Sequence, residues 1–216
     1  DVKNTIEIAL NSLKENSVDA EIAFFGGSFT AIDREYMLSL LGATTEYIDR
    51  FKGIRISTRP DYIDDEVLST LKKFKVTSIE KNAFKNNKKL KTVTIGKNVT
   101  TIGDNAFYKC TALTKISISS KVKTIGKNAF YGCKKMTSAT IGKSVSKIGA
   151  KAFYGCSKLK TLKIKTTKLT EKKIGSKAFS KTPKSMKVTI PKKKFKTYKS
   201  MLIKKGVNKK AKFKKG

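Results

Sequence analysis

An internal repeat with a constant step constrains the fold of this chain more than any other sequence feature. Phenylalanine recurs at every twenty-third position, each time directly after an alanine, and isoleucine and cysteine recur with it. The recurring positions are Phe84, Phe107, Phe130 and Phe153; Ile79, Ile102, Ile125 and Ile148; and Cys110, Cys133 and Cys156. A fifth unit follows after a short insertion and places Phe179 in the phenylalanine column. Agreement among several columns over successive units indicates a repeat architecture.

One unit of this length cannot bury its own apolar face, whereas stacked units align equivalent side chains into continuous ladders. We therefore expect the phenylalanine and cysteine columns to form the core. The cysteines lie too far apart in sequence for a typical metal motif, which favours core packing over metal binding. The alternation Val93-Thr94-Ile95 predicts a short strand in each unit. Glycines 103, 126, 149 and 175 are expected where the chain turns tightly.

Charge divides the chain near residue 76. Residues 1–75 hold 10 Lys+Arg and 13 Asp+Glu, a net charge of −3, whereas residues 76–216 hold 39 Lys+Arg and 3 Asp+Glu, a net charge of +36. The second part is expected to attract polyanions through its lysines. With the phenylalanines assigned to the core, the sequence predicts no aromatic platform for bases, which argues against specific nucleic-acid recognition. The chain contains no histidine, which removes the commonest general base.

The repeat unit resembles the BspA-like leucine-rich repeats of bacterial surface proteins. The unit reads Leu90-x-x-Val93-x-Ile95, then Val99-x-x-Ile102-Gly103, then Asn105-Ala106-Phe107-x-x-Cys110. The resemblance covers about residues 77–191. It implies a curved, β-rich solenoid for adhesion or ligand binding at the cell surface or after secretion, and it carries over no catalytic residues. Together with the lysines, this predicts a protein or an anionic polymer as the ligand of the repeat surface.

The segment 192–216 departs from the period. Phe195, Tyr198 and Leu202 follow one another at helical spacing among lysines, which predicts a short amphipathic helix that ends at Gly206. We expect this helix to be the C-terminal cap that a solenoid needs to cover its last rung. The sequence thus divides into residues 1–75, a solenoid over residues 76–191 and a basic cap and tail over residues 192–216.

Residues 1–75 follow another pattern. Helices are predicted near residues 5–14, 33–50 and 64–74, and strands near residues 21–25, 53–57 and 76–80, with Asp33 as the N-cap of the second helix. This alternating order predicts parallel strands joined by crossover helices. The expected fold is therefore an α/β fragment, a set of partial parallel βα barrel units, followed by the β-rich solenoid.

Two stretches of this segment, EIAFFGGSFTAI (21–32) and GIRISTRPDYID (53–64), resemble radical S-adenosylmethionine enzymes of the elongator catalytic subunit type. The resemblance implies a partial barrel that binds a [4Fe–4S] cluster and S-adenosylmethionine, with the cofactor's methionine group contacted by Gly26, Gly27 and Ser28. Such a cluster requires thiolate ligands, and this sequence has no cysteine ahead of Cys110. For the chain as given we expect no cofactor.

Three functions are compatible with these patterns. The first is a non-catalytic binding or adhesion module fused to an incomplete radical S-adenosylmethionine-like segment. The second is a fragment of a tRNA-modifying radical enzyme, which would work in the cytoplasm rather than at the cell surface. The third is a non-specific polyanion binder. No apolar run is long enough for a transmembrane helix, and the sequence leaves the oligomeric state open.

Overall fold

The computed structural model describes residues 2–13, 20–24, 33–51, 53–56 and 78–216. The first part contains α1 (Val2–Leu13), β1 (Glu21–Phe24), α2 (Arg34–Ala43) and β2 (Gly53–Ile56). The repeats contain β3 (Ser78–Ile79), β4 (Thr92–Thr94), β5 (Thr101–Ile102), β6 (Lys115–Ser117), β7 (Thr124–Ile125), β8 (Ser138–Ile141), β9 (Lys147–Ile148), β10 (Thr161–Ile164) and β11 (Lys187–Ile190). The chain ends with α3 (Phe195–Lys204) and β12 (Lys212–Lys215). Short 3-10 turns lie at Ile48–Arg50, Glu171–Lys173 and Lys192–Lys194.

The repeats form a solenoid with two parallel sheets, as the periodicity predicts. The longer sheet has the order β12-β11-β10-β8-β6-β4, and the shorter one the order β3-β5-β7-β9. Each coil adds a strand directly beside the strand of the previous coil and pairs residues that are one repeat apart, as in the pairing of Val93 with Ile116. Outside the strands the same stacking continues, because the Phe130 amide donates to the Ala152 carbonyl at 2.7 Å. Hydrogen bonding between coils therefore fixes their spacing along the whole solenoid.

The glycines that follow the isoleucine column have a second role besides the expected turn. Among the described glycines a left-handed φ is found at Gly132, Gly155 and Gly206, and not in this column. A Cβ added at Gly103 would lie 2.7 Å from the Glu80 backbone carbon, and one at Gly126 would lie 2.6 Å from the Asp104 backbone nitrogen. The chain does turn at this column, as expected, since the Gly103 carbonyl accepts a hydrogen bond from the Ala106 amide at 3.3 Å. Glycine is needed there because adjacent coils approach closely. Eight described residues other than glycine also have a left-handed φ, and they fall in two columns of the repeat. The first column holds Asn82, Asn105, Asn128, Lys151 and Lys177, and the second holds Asn86, Lys109 and Lys181.

The C-terminal segment covers the last coil, as expected of a cap. Tyr198, Met201 and Leu202 of α3 are buried. The Tyr198 hydroxyl accepts a hydrogen bond from the Leu169 amide at 2.9 Å, which ties the helix to the loop before the last repeat. Beyond α3 the chain adds β12 in parallel to β11, a strand that the sequence did not predict. The cap is therefore a helix together with one further rung of the long sheet.

The first part of the chain contains a parallel β1–β2 pair, joined through α2, which is the order expected of a crossover unit. Asp33 caps α2, since its carboxylate accepts a hydrogen bond from the Tyr36 amide at 3.0 Å. The helix ends at Ala43 rather than near residue 50. At this end the Thr44 amide and hydroxyl both donate to the Leu41 carbonyl, three residues earlier, in place of the i→i+4 bonds of an α-helix.

Part of this first segment packs against the repeats. Met37 and Leu41 of α2 and Ile54 of β2 are buried in the same apolar cluster as Phe84 of the first coil. α1 belongs to a separate small cluster around Leu10. The apolar end of the solenoid is thus covered by α2 and β2. The predicted helix near residues 64–74 lies outside the described residues. Among the described helices, none has the length and apolar character required to cross a membrane.

Candidate binding surface

The phenylalanine column is the central stack of the core. The rings lie nearly parallel at centroid distances of 4.7 to 5.5 Å, and all but the first ring are fully buried. The stack consists of Phe84, Phe107, Phe130, Phe153 and Phe179. These side chains are used in coil packing and leave no aromatic face for a ligand.

The cysteine column lies beside this stack. Each thiol is buried and donates a hydrogen bond to the phenylalanine carbonyl of the preceding coil, as from Cys110 Sγ to Phe84 O at 2.9 Å. Burial raises the pKa of Cys110 and Cys156 to about 12, and that of Cys133 well above its ordinary value. Protonated, hydrogen-bonded thiols are poor nucleophiles and poor metal ligands. Asn87 occupies this column in the first coil, where its side-chain oxygen accepts hydrogen bonds from the Lys89 and Leu90 amides.

The outward side of the long sheet, here called the sheet face, is polar throughout. Two rows of side chains lie along it, and each row crosses all six strands. The rows are Thr92, Lys115, Ser138, Thr161, Lys187 and Lys212, and Thr94, Ser117, Thr140, Lys163, Thr189 and Lys214. Hydroxyl groups dominate the rows near β4 and lysines dominate them near β12.

Acidic side chains within residues 78–216 are few, and each has a contact. Glu80 accepts a hydrogen bond from the Ser78 hydroxyl, Asp104 from the Lys127 amide, and Glu171 forms an ion pair with Lys204 at 3.1 Å. Three carboxylates cannot balance 39 lysines. The solenoid surface is therefore strongly positive, and every one of these basic residues is a lysine rather than an arginine.

A second aromatic ladder lies at the surface. Tyr108, Tyr131 and Tyr154 directly follow the core phenylalanines and are half-buried. Their rings stack at 5.0 Å between neighbouring centroids, with interplanar angles of 18° and 10°. The prediction of no aromatic platform for bases rests on the phenylalanines alone and does not take account of this tyrosine column. The same repeat step that reveals the phenylalanines would also have revealed the tyrosines.

Lysines lie at both ends of this ladder. Lys109 Nζ lies over the Tyr108 ring at 5.4 Å from its centroid, and Lys181 Nζ lies over the Tyr154 ring at 5.3 Å. A hydrogen bond to the Tyr154 hydroxyl raises the pKa of Lys181, so that this exposed ammonium group remains charged. We call the three tyrosines with these two lysines the tyrosine strip.

The residues assigned to S-adenosylmethionine by resemblance, Gly26, Gly27 and Ser28, lie outside the described residues. Within the given sequence, the thiolates that an iron–sulfur cluster requires would have to come from the three core cysteines. Those thiols are buried in successive coils and bonded to backbone carbonyls. The residues present therefore do not fit such a cluster.

The comparison with protein families identifies the repeats. The model described as BspA type leucine rich repeat region (6 copies) matches residues 77–205. The chain belongs to this family. In this BspA-type solenoid the geometry repeated from coil to coil is that of the core ladders.

Solved structures similar to this BspA-type chain include three bacterial proteins. A leucine rich cell surface protein from Faecalibacterium prausnitzii A2-165 is 33% identical with a TM-score of 0.42, and the match covers 53% of this chain and 33% of that protein. A leucine-rich repeat protein from Bacteroides ovatus ATCC 8483 is 23% identical, with a TM-score of 0.36 and coverage of 54% and 47%. The pneumococcal vaccine antigen PcpA is 18% identical, with a TM-score of 0.43 and coverage of 65% and 42%. The chain thus spans less than half of each of these structures. The comparison with curated proteins finds no match.

Proposed function

We propose that the chain is a non-catalytic binding module that presents its lysine-coated solenoid surface to a macromolecular ligand at the cell surface. The observation that carries the proposal is that each repeat unit places its apolar side chains in a closed core and its lysines on the exterior. The phenylalanine, isoleucine and cysteine columns are buried, whereas the positions that point outward hold lysine, serine, threonine and tyrosine. Membership of the BspA type supports a surface location, because this repeat type is associated with bacterial surface proteins.

The ligand class that this exterior favours is an anionic polymer. Many lysines without acidic neighbours attract a polyanion through counterion release, and such binding weakens steeply as salt rises. A protein ligand is the second candidate. The sheet face supports it, because a flat, regular array of hydroxyl groups near β4 offers hydrogen bonds without a large charge.

A binding assay with the purified full chain tests the proposal. We expect an immobilised chain to retain alginate, a linear carboxylated glycan, at 50 mM salt and to release most of it at 500 mM salt. A neutral glucan of the same length is the control and should not be retained. Retention of a protein ligand without dependence on salt would favour the second candidate, and retention of neither polymer nor protein would contradict the proposal.

The fusion to a radical S-adenosylmethionine-like segment stays a prediction. The parallel β1–α2–β2 unit is compatible with it, but the same unit occurs in many unrelated α/β folds. An enzymatic role for the present chain has no support from its cysteines. Iron and acid-labile sulfide measured on the purified chain after anaerobic reconstitution should remain at background, and stoichiometric amounts of both would contradict the non-enzymatic assignment.

A further inference from the structure

The tyrosine strip differs from the rest of the basic surface because it combines aromatic rings, hydroxyl groups and fixed cations at one regular spacing. Two stacking contacts occupy four of the six ring faces. The two outer rings have the ammonium groups of Lys109 and Lys181 over them. What the strip offers to a ligand is therefore a row of ring edges and phenol hydroxyl groups. Ring edges carry the positive part of the aromatic quadrupole and so favour anionic groups.

The backbone next to the tyrosines leaves one open place beside this row. The column after the tyrosines holds Lys109, Gly132, Gly155 and Lys181 in successive coils. A Cβ added at Gly155 would meet only the Gly132 backbone, at 3.9 Å, whereas one at Gly132, which is buried, would meet the Lys109 side chain at 3.4 Å. The two lysines are separated by three coil steps of about 5 Å each. A chain-like ligand can cross the open place at Gly155 with a cation on either side.

We propose that the tyrosine strip is the site at which the module binds a linear carboxylated glycan, an inference that rests on the proposed binding function. An extended polyuronate carries one carboxylate on each sugar ring, and its rings follow one another at a distance close to the coil step. Its carboxylates would lie at Lys109 and Lys181, and its hydroxyl groups would exchange hydrogen bonds with Tyr131 and Tyr154.

The same geometry disfavours nucleic acid as the occupant. Single-stranded nucleic acid gains much of its affinity from bases stacked on open aromatic faces, and those faces are occupied here.

A matched pair of double variants tests the proposal in the full chain. Lys109→Gln/Lys181→Gln removes two charges from the strip, and Lys115→Gln/Lys163→Gln removes two charges from the sheet face. Both pairs are exposed, so neither change disturbs the core. Affinity for alginate oligosaccharides, measured by titration calorimetry, should fall about tenfold in the strip variant, as expected for the loss of charge-assisted hydrogen bonds. The sheet-face variant should stay within about twofold of the wild type.

A third variant, Tyr108→Phe/Tyr131→Phe/Tyr154→Phe, retains the stacked rings and removes the hydroxyl groups. We expect it to bind alginate several-fold more weakly with an unchanged dependence on salt, and wild-type affinity would overturn the role of the hydroxyls. An equal loss of affinity in the two lysine variants would overturn the strip as the site, although the proposed binding function would stand. A wild-type chain that binds no alginate would overturn the inference, and the function would then depend on a protein ligand. Tighter binding of single-stranded DNA at the strip would overturn the glycan as occupant.

Discussion

The central phenylalanine of the core stack gives the sharpest test of the solenoid. Phe130 is fully buried and lies between Phe107 at 5.1 Å and Phe153 at 5.0 Å, whereas Phe84 at the end of the stack has one aromatic neighbour in it. Phe130→Ala removes two ring contacts and opens a cavity. The coils cannot close this cavity easily, because hydrogen bonds on both sides fix their spacing.

The expected magnitude follows from these contacts. Truncation of a buried phenylalanine to alanine costs about 3–5 kcal/mol in all, and each aromatic pair that is lost accounts for about 0.5–1.5 kcal/mol of this total. We therefore expect Phe130→Ala to lower the free energy of unfolding by about 4–5 kcal/mol. Phe84→Ala should cost about 3 kcal/mol, because it breaks only one pair. In a solenoid each coil contacts only its neighbours, so the central change also separates the coils on either side.

Urea denaturation followed by circular dichroism, with linear extrapolation to water, measures both values. Phe130→Leu is the companion variant, since it retains most of the volume but loses both ring pairs, and it should cost about 1–3 kcal/mol. The reasoning fails if Phe130→Ala costs under about 1.5 kcal/mol, a loss typical of far milder core changes. It also fails if the end position proves as sensitive as the central one.

Three further predictions follow from the packing. Gly149→Ala should lower the free energy of unfolding by about 3 kcal/mol, because the new Cβ would lie 2.5 Å from the Gly126 carbonyl carbon. Gly96→Ala, whose Cβ would meet only Val99 at 3.6 Å, should be nearly neutral in the same urea titration. Above pH 9 the unfolded chain releases its thiol protons while the folded chain retains them, so stability should fall between pH 9 and about 12 relative to a triple cysteine-to-alanine variant. In melts at several pH values, the free energy of unfolding relative to this variant should fall by up to ~1.4 kcal/mol per pH unit for each thiol. An equal pH dependence of the two proteins would contradict the prediction. Leu41→Ala should reduce hydrogen-exchange protection in the first coil, because its side chain is buried against that coil, and unchanged protection would exclude a capping role for α2.

The solenoid can be predicted from the sequence because the recurring residues of a repeat are the ones that pack against each other in successive coils. A residue that recurs at every step occupies the same place in every coil, so a column of phenylalanines must become a stack once the coils align. The family to which the chain belongs and the parallel strands both follow from this regularity, whereas the C-terminal helix follows from the helical spacing of Phe195, Tyr198 and Leu202. The fifth unit shows the limit of the rule, since its inserted residues are accommodated in the loop that contains the Glu171–Lys173 turn.

Other features are not visible in one sequence because different physical demands select the same residue type. Glycine is required at position 126 by the approach of a neighbouring coil, whereas at position 155 a left-handed φ favours glycine without requiring it, since Lys109 and Lys181 adopt a similar φ in this column. Asn105 and Lys151 adopt the left-handed conformation without glycine, since hydrogen bonds between coils hold the backbone there. The strand to which a segment will pair is also not evident from the sequence. β12 has no repeat signature, and its membership of the long sheet is seen only in its parallel pairing with β11.

The use of lysine in place of arginine throughout the basic half bears on how the surface can recognise a ligand. A lysine ammonium group is a compact, strongly hydrated charge that gives attraction without a fixed geometry, whereas arginine would orient carboxylates through its planar fork. Most of the 39 lysines therefore raise the local concentration of any polyanion without selecting among polyanions. Selection requires groups whose positions are fixed by the core. The three stacked tyrosines meet this requirement, because each directly follows a phenylalanine of the buried stack and takes its position from it. The rigid core thus fixes the spacing of the three tyrosines on the basic exterior, and the proposed binding of a polymer depends on this spacing.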